Sequence, residues 1–567
     1  MTWREAYYQR VKPVVGELFF DRRVACWGLS EWHLAAAALA QSGIVDQLWF
    51  DDDDPLEAND AQLRSLGQGA LGQGRAAALE AHLRQHNGFE DSWRLERRPR
   101  TIESLRGALA QRPPQLLLAN LDAESPELLR AAIDAGVPTI LSAAPAGAVY
   151  EALQLSWHPR AEVDVDALLG TVEALAGLPT RDADSPSAHV EALERRSLGL
   201  GLARWLLAPE RPKRPDLGEQ LLEAGRVALL RGDGRWPWVA RLGRPGRRVL
   251  ELSVGAPPRF RAPASFVGGE TLLVLGLGTA SLFCGEAPML AKRLVLLDCK
   301  DVSPANPVRQ LFPTQTIGAP KGKALAELLA RRIAPEARWE RRELGAGLTA
   351  LSAADRELIY GELFLSRRER GSRERFAAIL DEVRPTLAVV AMGRSKDDNF
   401  LATAELRRRG IRHITPTAFP GVSHFKHIVT DGAEGPCYDC LQGHLAIDGG
   451  VGPTLSADER ELFYGGTQPA TLAETLPSAH SLLRLALDLA LPSAARPPYL
   501  RAALADERSC FVGANRVERV EAGWLYGVDR PFSMVTYGMQ DLVGSRASER
   551  CPCGRINVVS TARTAPE

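Results

Sequence analysis

Lysine is scarce in this chain: eight of its 69 cationic residues are lysines, and none lies between Lys12 and Lys213. The plain explanation is codon bias in a GC-rich genome that favours alanine and arginine. An excess of one charge is also lacking. Lys+Arg 69 against Asp+Glu 70 leaves a net charge of -1, which argues against a nucleic-acid or membrane-surface protein held by bulk charge. No apolar run approaches the ~18 residues that a membrane span requires. The first residues, MTWREAYYQRVKPVVGELFF, lack the basic, apolar and small-residue order of an export signal. Eight cysteines in 567 residues are too few for a disulfide scaffold, so a reducing cytoplasm is expected. Low-complexity tracts and heptads are missing too. What is present is 45% hydrophobic and 25% charged residues, the composition of a soluble globular protein. At roughly 100–200 residues per domain the length predicts three or four structural units.

The chain repeats itself, and repeats constrain a fold strongly. The segments RVACWGLSEWHLAAAALAQSGIVDQLWFDDDD, from residue 23, and TLLVLGLGTASLFCGEAPMLAKRLVLLDCKD, from residue 271, share one order. Each has an apolar strand, a glycine turn, a helical stretch, a second strand and an acidic end. Asp51 and Asn59 match Asp298 and Asn306 at one common offset, and Arg75 falls opposite Lys321 within a residue. Later, PQLLLANLDAESPELLRAAIDAGVPTILSA parallels PTLAVVAMGRSKDDNFLATAELRRRGIRHITPTA. A leucine-rich helix stopped by proline recurs in RSLGLGLARWLLAPERP and HSLLRLALDLALPSAARP. Alternating strands and helices predict parallel sheets covered by helices. Two copies in tandem predict two similar α/β domains about a pseudo-two-fold axis, a dimer within one chain. Whether the chain also pairs with a second copy is left open. Between residues 161 and 265 the pattern is less regular, with a hairpin candidate in VALLRGDGRWPWVARLG.

In the second copy Gly276 and Gly278 follow the strand LLVLGLG. Backbone N–H groups at such a turn favour phosphate, and glycine lets a ligand approach. Asp298 ends the next strand about 20 residues on, where a carboxylate takes ribose hydroxyls. These features alone suit a nicotinamide dinucleotide as well as ATP. The following segment decides between them. Asp298-Cys-Lys-Asp-Val302, Asn306, Arg309-Gln310 and Gly318-Ala-Pro-Lys321 resemble the signature of the ubiquitin-activating-enzyme (E1-like) superfamily, which includes the sulfur-carrier adenylyltransferases. Cations in this pattern suit a triphosphate and a departing pyrophosphate; hydride transfer has no need of them.

The resemblance implies an α/β fold with two tandem Rossmann-like adenylation-type domains, the first degenerate and the second active. It implies that Asp298 binds ribose, that Arg309 and Lys321 hold the phosphates, and that Asn306 and Gln310 stand beside them. Asp398, in SKDDN, would help hold Mg2+, although Ser395 replaces the family's first aspartate. The first copy has lost this equipment: Leu29, Ser30, Gln62 and Leu63 stand where glycines and Arg-Gln belong. In two-half members an arginine near the chain start reaches into the other half's ATP site, and Arg10 in Tyr8-Gln9-Arg10-Val11 is its counterpart.

Cys437-x-x-Cys440 and Cys551-Pro-Cys553 resemble the family's structural Zn2+ site, four thiolates suited to a closed tetrahedron. A reduced pair or a redox couple is the alternative reading. The loop that carries a thioester-forming cysteine in some members has none here. Thr467 stands at about that place, which leaves three readings: acyl-adenylate chemistry only, an oxyester on Thr467 or a nearby serine, or Cys510 reaching in from elsewhere.

The expected division is residues 1–160 as a degenerate domain, 161–265 as a connection completing it, 266–500 as the active domain, and 501–567 as a C-terminal region with the second cysteine pair. The expected function is ATP-dependent adenylation of a ubiquitin-like protein's C-terminus and transfer to an E2-like partner, in a bacterial, antiphage-type conjugation pathway. Lysine scarcity would then also spare the enzyme from modification by its own product. A peptide-modifying or precursor-presenting role in natural-product biosynthesis, and a silent E1-like scaffold, are the alternatives.

Overall fold

The computed structural model describes residues 22–29, 39, 46–56, 66, 68–86, 94–120, 122–143, 150–157, 165–176, 226–231, 238–241, 269–332, 339–343, 356–363, 365, 370–392, 396–418, 424–441, 444–445, 470–514, 534–537 and 542–543. Two large mixed sheets organise them.

The first sheet contains β1 (Arg23–Trp27), β2 (Asp46–Phe50), β3 (Arg94–Arg98), β4 (Leu116–Asn120), β5 (Thr139–Ala143), β6 (Tyr150–Trp157), β7 (Arg226–Arg231) and β8 (Trp238–Arg241), in the order β3-β2-β1-β4-β5-β6-β7-β8. Strands β1 to β5 are parallel and the last three antiparallel. The second sheet contains β9 (Glu270–Leu275), β10 (Ala291–Leu297), β11 (Trp339–Glu343), β12 (Arg356–Gly361), β13 (Leu387–Val390), β14 (Arg412–Ala418) and β15 (His424–Thr430). A short ribbon, β16 (His444–Leu445) with β19 (Leu542–Val543), stands apart, and β17 (Cys510–Ala514) and β18 (Met534–Tyr537) complete the large sheet. Its order is β11-β12-β10-β9-β13-β14-β15-β17-β18, antiparallel from β15 onward. With the edge strand β11 set aside, the two orders correspond strand for strand. The hairpin expected in VALLRGDGRWPWVARLG is the β7–β8 pair.

Strands buried on both faces explain the unbroken apolar runs LLVL and LAVV. The helices are α1 (Arg75–His86), α2 (Ile102–Gln111), α3 (Ser125–Asp134), α4 (Val165–Ala176), α5 (Ala280–Glu286), α6 (Lys321–Arg332), α7 (Arg370–Val383), α8 (Lys396–Arg408), α9 (Tyr438–Leu441), α10 (Leu472–Ala490) and α11 (Pro498–Ala505). Leu272 and Val274 of β9 pack on one face of the second sheet with Leu482, Leu483 and Leu489 of α10. Leu273 and Leu275 pack on the other with Phe376 of α7 and Leu406 of α8. Each such fully buried leucine contributes roughly 1.5–3 kcal/mol. Proline at 492 follows α10, as expected for a leucine-rich helix stopped there. Among the described residues no helix is long and apolar enough to cross a membrane.

Residues 510–514 and 534–537 are strands of the second sheet, so a division at 500 cuts through one structural unit. The sheets meet through reciprocal elements: α1 lies against the turn 314–316, and α6 against the turn 68–70. Thr314 Oγ1 donates to the Gln85 carbonyl at 3.0 Å across this contact.

Two histidines of the second sheet are buried and neutral. Burial pushes His413 down to about 4 and His427 down to about 3, while an unfolded histidine titrates near 6.5. Stability is therefore complete above pH ~6.5 and lost as the pH falls through the window toward the folded values. At pH 5 each site is expected to cost about 2 kcal/mol. Urea unfolding at pH 7.5 and pH 5 measures the loss. The double variant His413→Asn/His427→Gln should lower proton uptake on unfolding by about two at pH 5; an unchanged slope would refute the assignment.

Candidate functional site

The strand order fixes where a ligand can lie. In a doubly wound sheet the crevice opens at the carboxyl ends of the strands where the order reverses. In the second sheet that point lies between β9 and β13.

Gly276 sits there at φ 83°. Its N–H donates to Leu297 O at 2.8 Å, tying the turn to the end of β10. Asp298, next in the chain, fixes the turn from its side: Oδ2 accepts Leu277 N–H at 2.6 Å and Oδ1 accepts Lys300 N–H at 2.8 Å. Each carboxylate oxygen keeps acceptor capacity beyond that bond. Further on, Lys321 N–H donates to Lys300 O at 3.0 Å, and Gly318 N–H to Val302 O at 2.8 Å. Lys321, the first residue of α6, is thereby pinned to the strand end carrying Asp298. Its Nζ lies 5.8 Å from the Phe312 ring centroid, and the side chain is buried.

The two glycines differ. A Cβ on Gly276 would lie 2.4 Å from Ala391 O, so the turn packs against backbone. A Cβ on Gly278 would meet only Gln310 Nε2, at 3.8 Å, an ordinary contact. Packing among the described residues does not require glycine at 278. Gln310 is buried, and among the described residues its Oε1 has no hydrogen-bond partner; an orphan of that kind costs about 1–3 kcal/mol.

Arg309 and Gln310 are held from both sides by hydroxyls. Ser281 of α5 accepts Leu311 N–H at 3.1 Å, and Thr475 Oγ1 of α10 donates to Arg309 O at 3.2 Å. Thr475 carried no sequence signal, since its partner is 166 residues away. Asn306 turns out to be a turn former as well as a candidate ligand: its Oδ1 accepts Ser303 N–H at 2.7 Å, and its carbonyl accepts from Gln310 N–H at 2.9 Å. Asp398 is half-buried in the first turn of α8. Its neighbour Asn399 accepts Met392 N–H at 3.0 Å and hydrogen-bonds Tyr438, whose hydroxyl burial pushes up to about 12. Gly276, Gly278, Asp298, Gln310 and Lys321 thus belong to one connected turn assembly.

The first sheet repeats the skeleton. Gly28 stands at φ 77°, Leu29 N–H donates to Asp51 Oδ1 at 3.2 Å, and Arg75 N–H donates to Asp54 O at 3.0 Å. Arg75 therefore stands where Lys321 stands. Its crevice is filled differently, because Arg100 Nη1 would lie 3.7 Å from a Cβ on Gly28. The guanidinium sits over the Trp27 ring and bonds Asp122 at 2.6 Å.

Cys437 and Cys440 are buried with their sulfurs 3.6 Å apart. That separation suits two edge ligands of a thiolate tetrahedron with ~2.3 Å Zn–S bonds. Cys551 and Cys553 lie outside the described residues, as do Arg10 and Thr467. Among the described residues no cluster of three or more metal-ligating side chains occurs. Cys510 does not stand at the cleft. It is fully buried on β17, four strands from β9, or about 19 Å at ~4.8 Å per strand. A buried strand cysteine has no route to an acyl group at the glycine turn. Cys26 and Cys284 are likewise buried, and burial pushes both thiols up.

No family model matches the chain, and no curated protein matches it by sequence. Solved structures that match the chain in part include E. coli MccB with MccA-N7isoAsn, at 13% identity and a TM-score of 0.30 over 48% of this chain and 66% of that one. E. coli MccB with ATP shares 14% identity at a TM-score of 0.32, over 51% and 68%. The microcin C7 biosynthetic enzyme MccB with N-formylated MccA gives 13% and 0.32, over 51% and 69%. The chain therefore spans about two thirds of the length of these structures.

Proposed function

We propose that the C-terminal half is an E1-like adenylation site that binds MgATP over the Gly276–Gly278 turn and activates the C-terminal carboxylate of a ubiquitin-like protein. One observation carries this reading. A glycine turn fixed by Asp298 lies in hydrogen-bonded continuity with Lys321 and beside the orphaned Gln310 amide, at the β9/β13 reversal. Asp298 takes the ribose hydroxyls with its remaining lone pairs. Gly278 lets the phosphates approach backbone, and Arg309 and Lys321 balance their charge, with Asn306 and Gln310 alongside. Asp398 suits Mg2+, which takes one or two carboxylates in addition to phosphate oxygens. The substrate carboxylate attacks the α-phosphorus, the bond to pyrophosphate breaks, and an acyl adenylate remains. Such a step needs alignment and charge neutralisation more than proton transfer.

The first half, on this reading, is a degenerate adenylation-like domain related to the second by a pseudo-two-fold axis. Arg100 fills its crevice, so each chain holds one nucleotide. Arg10 would enter the second site from the first half, and Cys437, Cys440, Cys551 and Cys553 would hold a structural Zn2+. Thr467 or an E2-like partner would receive the acyl group.

ATP–pyrophosphate exchange tests the proposal, using the full chain alone, with ubiquitin-like proteins ending in a free carboxylate, and with short peptides. Exchange that depends on one ubiquitin-like protein is expected. Dependence on a short peptide would move the reading to peptide modification, and silence with all of them would leave a scaffold. Equilibrium dialysis with ATP should give about one nucleotide per chain.

A further inference from the structure

We propose that Arg407 anchors a second ligand site, separate from the nucleotide cleft, that takes a monocarboxylate carrying an apolar group. Arg407 lies near the C-terminal end of α8, eleven residues beyond Lys396, or about 16 Å at ~1.5 Å per residue. It is 7% exposed. Its Nη1 donates to Glu434 O at 2.9 Å, a neutral acceptor. Among the described residues it makes no ion pair: Glu405 on the same helix is bonded to Arg408 and Arg409, and Asp431 to Arg496. The ring of buried His413 feels its charge. A buried guanidinium that no carboxylate balances is costly for a fold to keep.

Space is provided where the counter-charge is missing. Two cavities adjoin at Arg407 and Ala433, both of which line each of them. The smaller, about 410 Å³, has apolar walls from Leu365, Phe376, Leu401 and Ala404. The larger, about 680 Å³, is polar and opens toward Ser493 and Ser509. A planar guanidinium fork matches a carboxylate in two parallel hydrogen bonds. The apolar walls receive what the carboxylate carries. Phosphate is disfavoured because Asp431, Glu434 and Glu507 also line the larger cavity and would repel a dianion. Across both linings arginines exceed carboxylates by one, the charge that a monocarboxylate neutralises.

Isothermal titration of the full chain tests the site with N-acetyl-L-phenylalanine, its amide, and a Gly-Gly-Gly-Phe peptide as free acid or amide. The acids should bind and the amides should bind at least about tenfold more weakly, the loss expected for one charged hydrogen-bonding partner. Preference for the small acid would assign a metabolite-sized ligand; preference for the peptide would assign a polypeptide C-terminus. Arg407→Met should weaken binding of either acid at least about tenfold without severe loss of stability, since only the Glu434 carbonyl, and no carboxylate, loses a partner. Ala404→Phe keeps the guanidinium, fills the smaller cavity, and should abolish the preference for N-acetyl-L-phenylalanine over acetate. Failure of both acids to bind wild type, equal binding to Arg407→Met, a preference retained in Ala404→Phe, or severe destabilisation of Arg407→Met would each overturn the proposal.

Discussion

Lys321→Met is expected to lower ATP–pyrophosphate exchange by at least about 100-fold, the usual cost of removing one preorganised charge from a developing anion. The same change at the equivalent residue of the first half, Arg75→Met, should leave exchange at wild-type level. The two side chains start from matching positions, each with its backbone N–H bonded to the carbonyl of an acidic strand-end segment. Their surroundings differ. Arg75 lies 3.9 Å from Asp54, and its charge acts on Asp51, a carboxyl that burial raises. Lys321 is buried beside Phe312, on the strand end whose carboxylate faces a glycine turn. Methionine keeps the length and apolar contacts of the lysine stem, while the phosphates would lose their counter-charge; urea unfolding of the variant separates a loss of stability from a loss of exchange. Arg309→Ala should cost a similar factor, and the double variant should cost less than the product, because on the proposed reading both cations would act on one leaving group. Undiminished exchange in Lys321→Met, or equal damage from Arg75→Met, would remove the triphosphate from this cleft.

The control works because the repeated strand–turn–helix pattern is visible in the sequence. Parallel strands buried on both faces leave contiguous apolar runs, and the residues at their carboxyl ends keep a near-constant offset, so Asp51/Asp298 and Arg75/Lys321 could be paired without coordinates. The glycine turns follow from the same pattern, whereas the reversal point emerges only from the strand order. Other features were not legible. Strand β17 joins β15 across eighty residues, and no local pattern announces so distant a pairing; this hid both the true extent of the second sheet and the burial of Cys510. Arg100 is one arginine in RLERRPR, and only the tertiary position of Asp122 turns it into a filling for the first crevice. Arg407 sits in the run RRRG at 407–410, where Arg408 and Arg409 are ordinary helix-surface partners of Glu405. Sequence gives all three one face value; burial separates them.

Gly276→Ala is expected to destabilise the second half by about 2–5 kcal/mol, whereas Gly278→Ala should leave stability within ~0.5 kcal/mol and still weaken ATP binding at least tenfold. At 276 two costs add. The left-handed conformation at φ 83° costs an alanine roughly 1–2 kcal/mol. The methyl would also press on backbone at 2.4 Å, and overpacking against an unyielding neighbour costs typically 1–3 kcal/mol. Gly28→Ala provides the internal comparison. It has a similar φ of 77°, but the nearest atoms its methyl would meet are those of the Arg100 side chain, at 3.7 Å and beyond, so about 1–2 kcal/mol is expected. At 278 neither cost arises. A methyl there touches Gln310 Nε2 at 3.8 Å and meets no other described residue within 4 Å, so the expected loss is in ligand approach. Urea unfolding ranks the three variants, and ATP titration separates the last from the others. If Gly278→Ala bound ATP as tightly as wild type, close approach of phosphate to this backbone would be ruled out, and the adenylation reading with it.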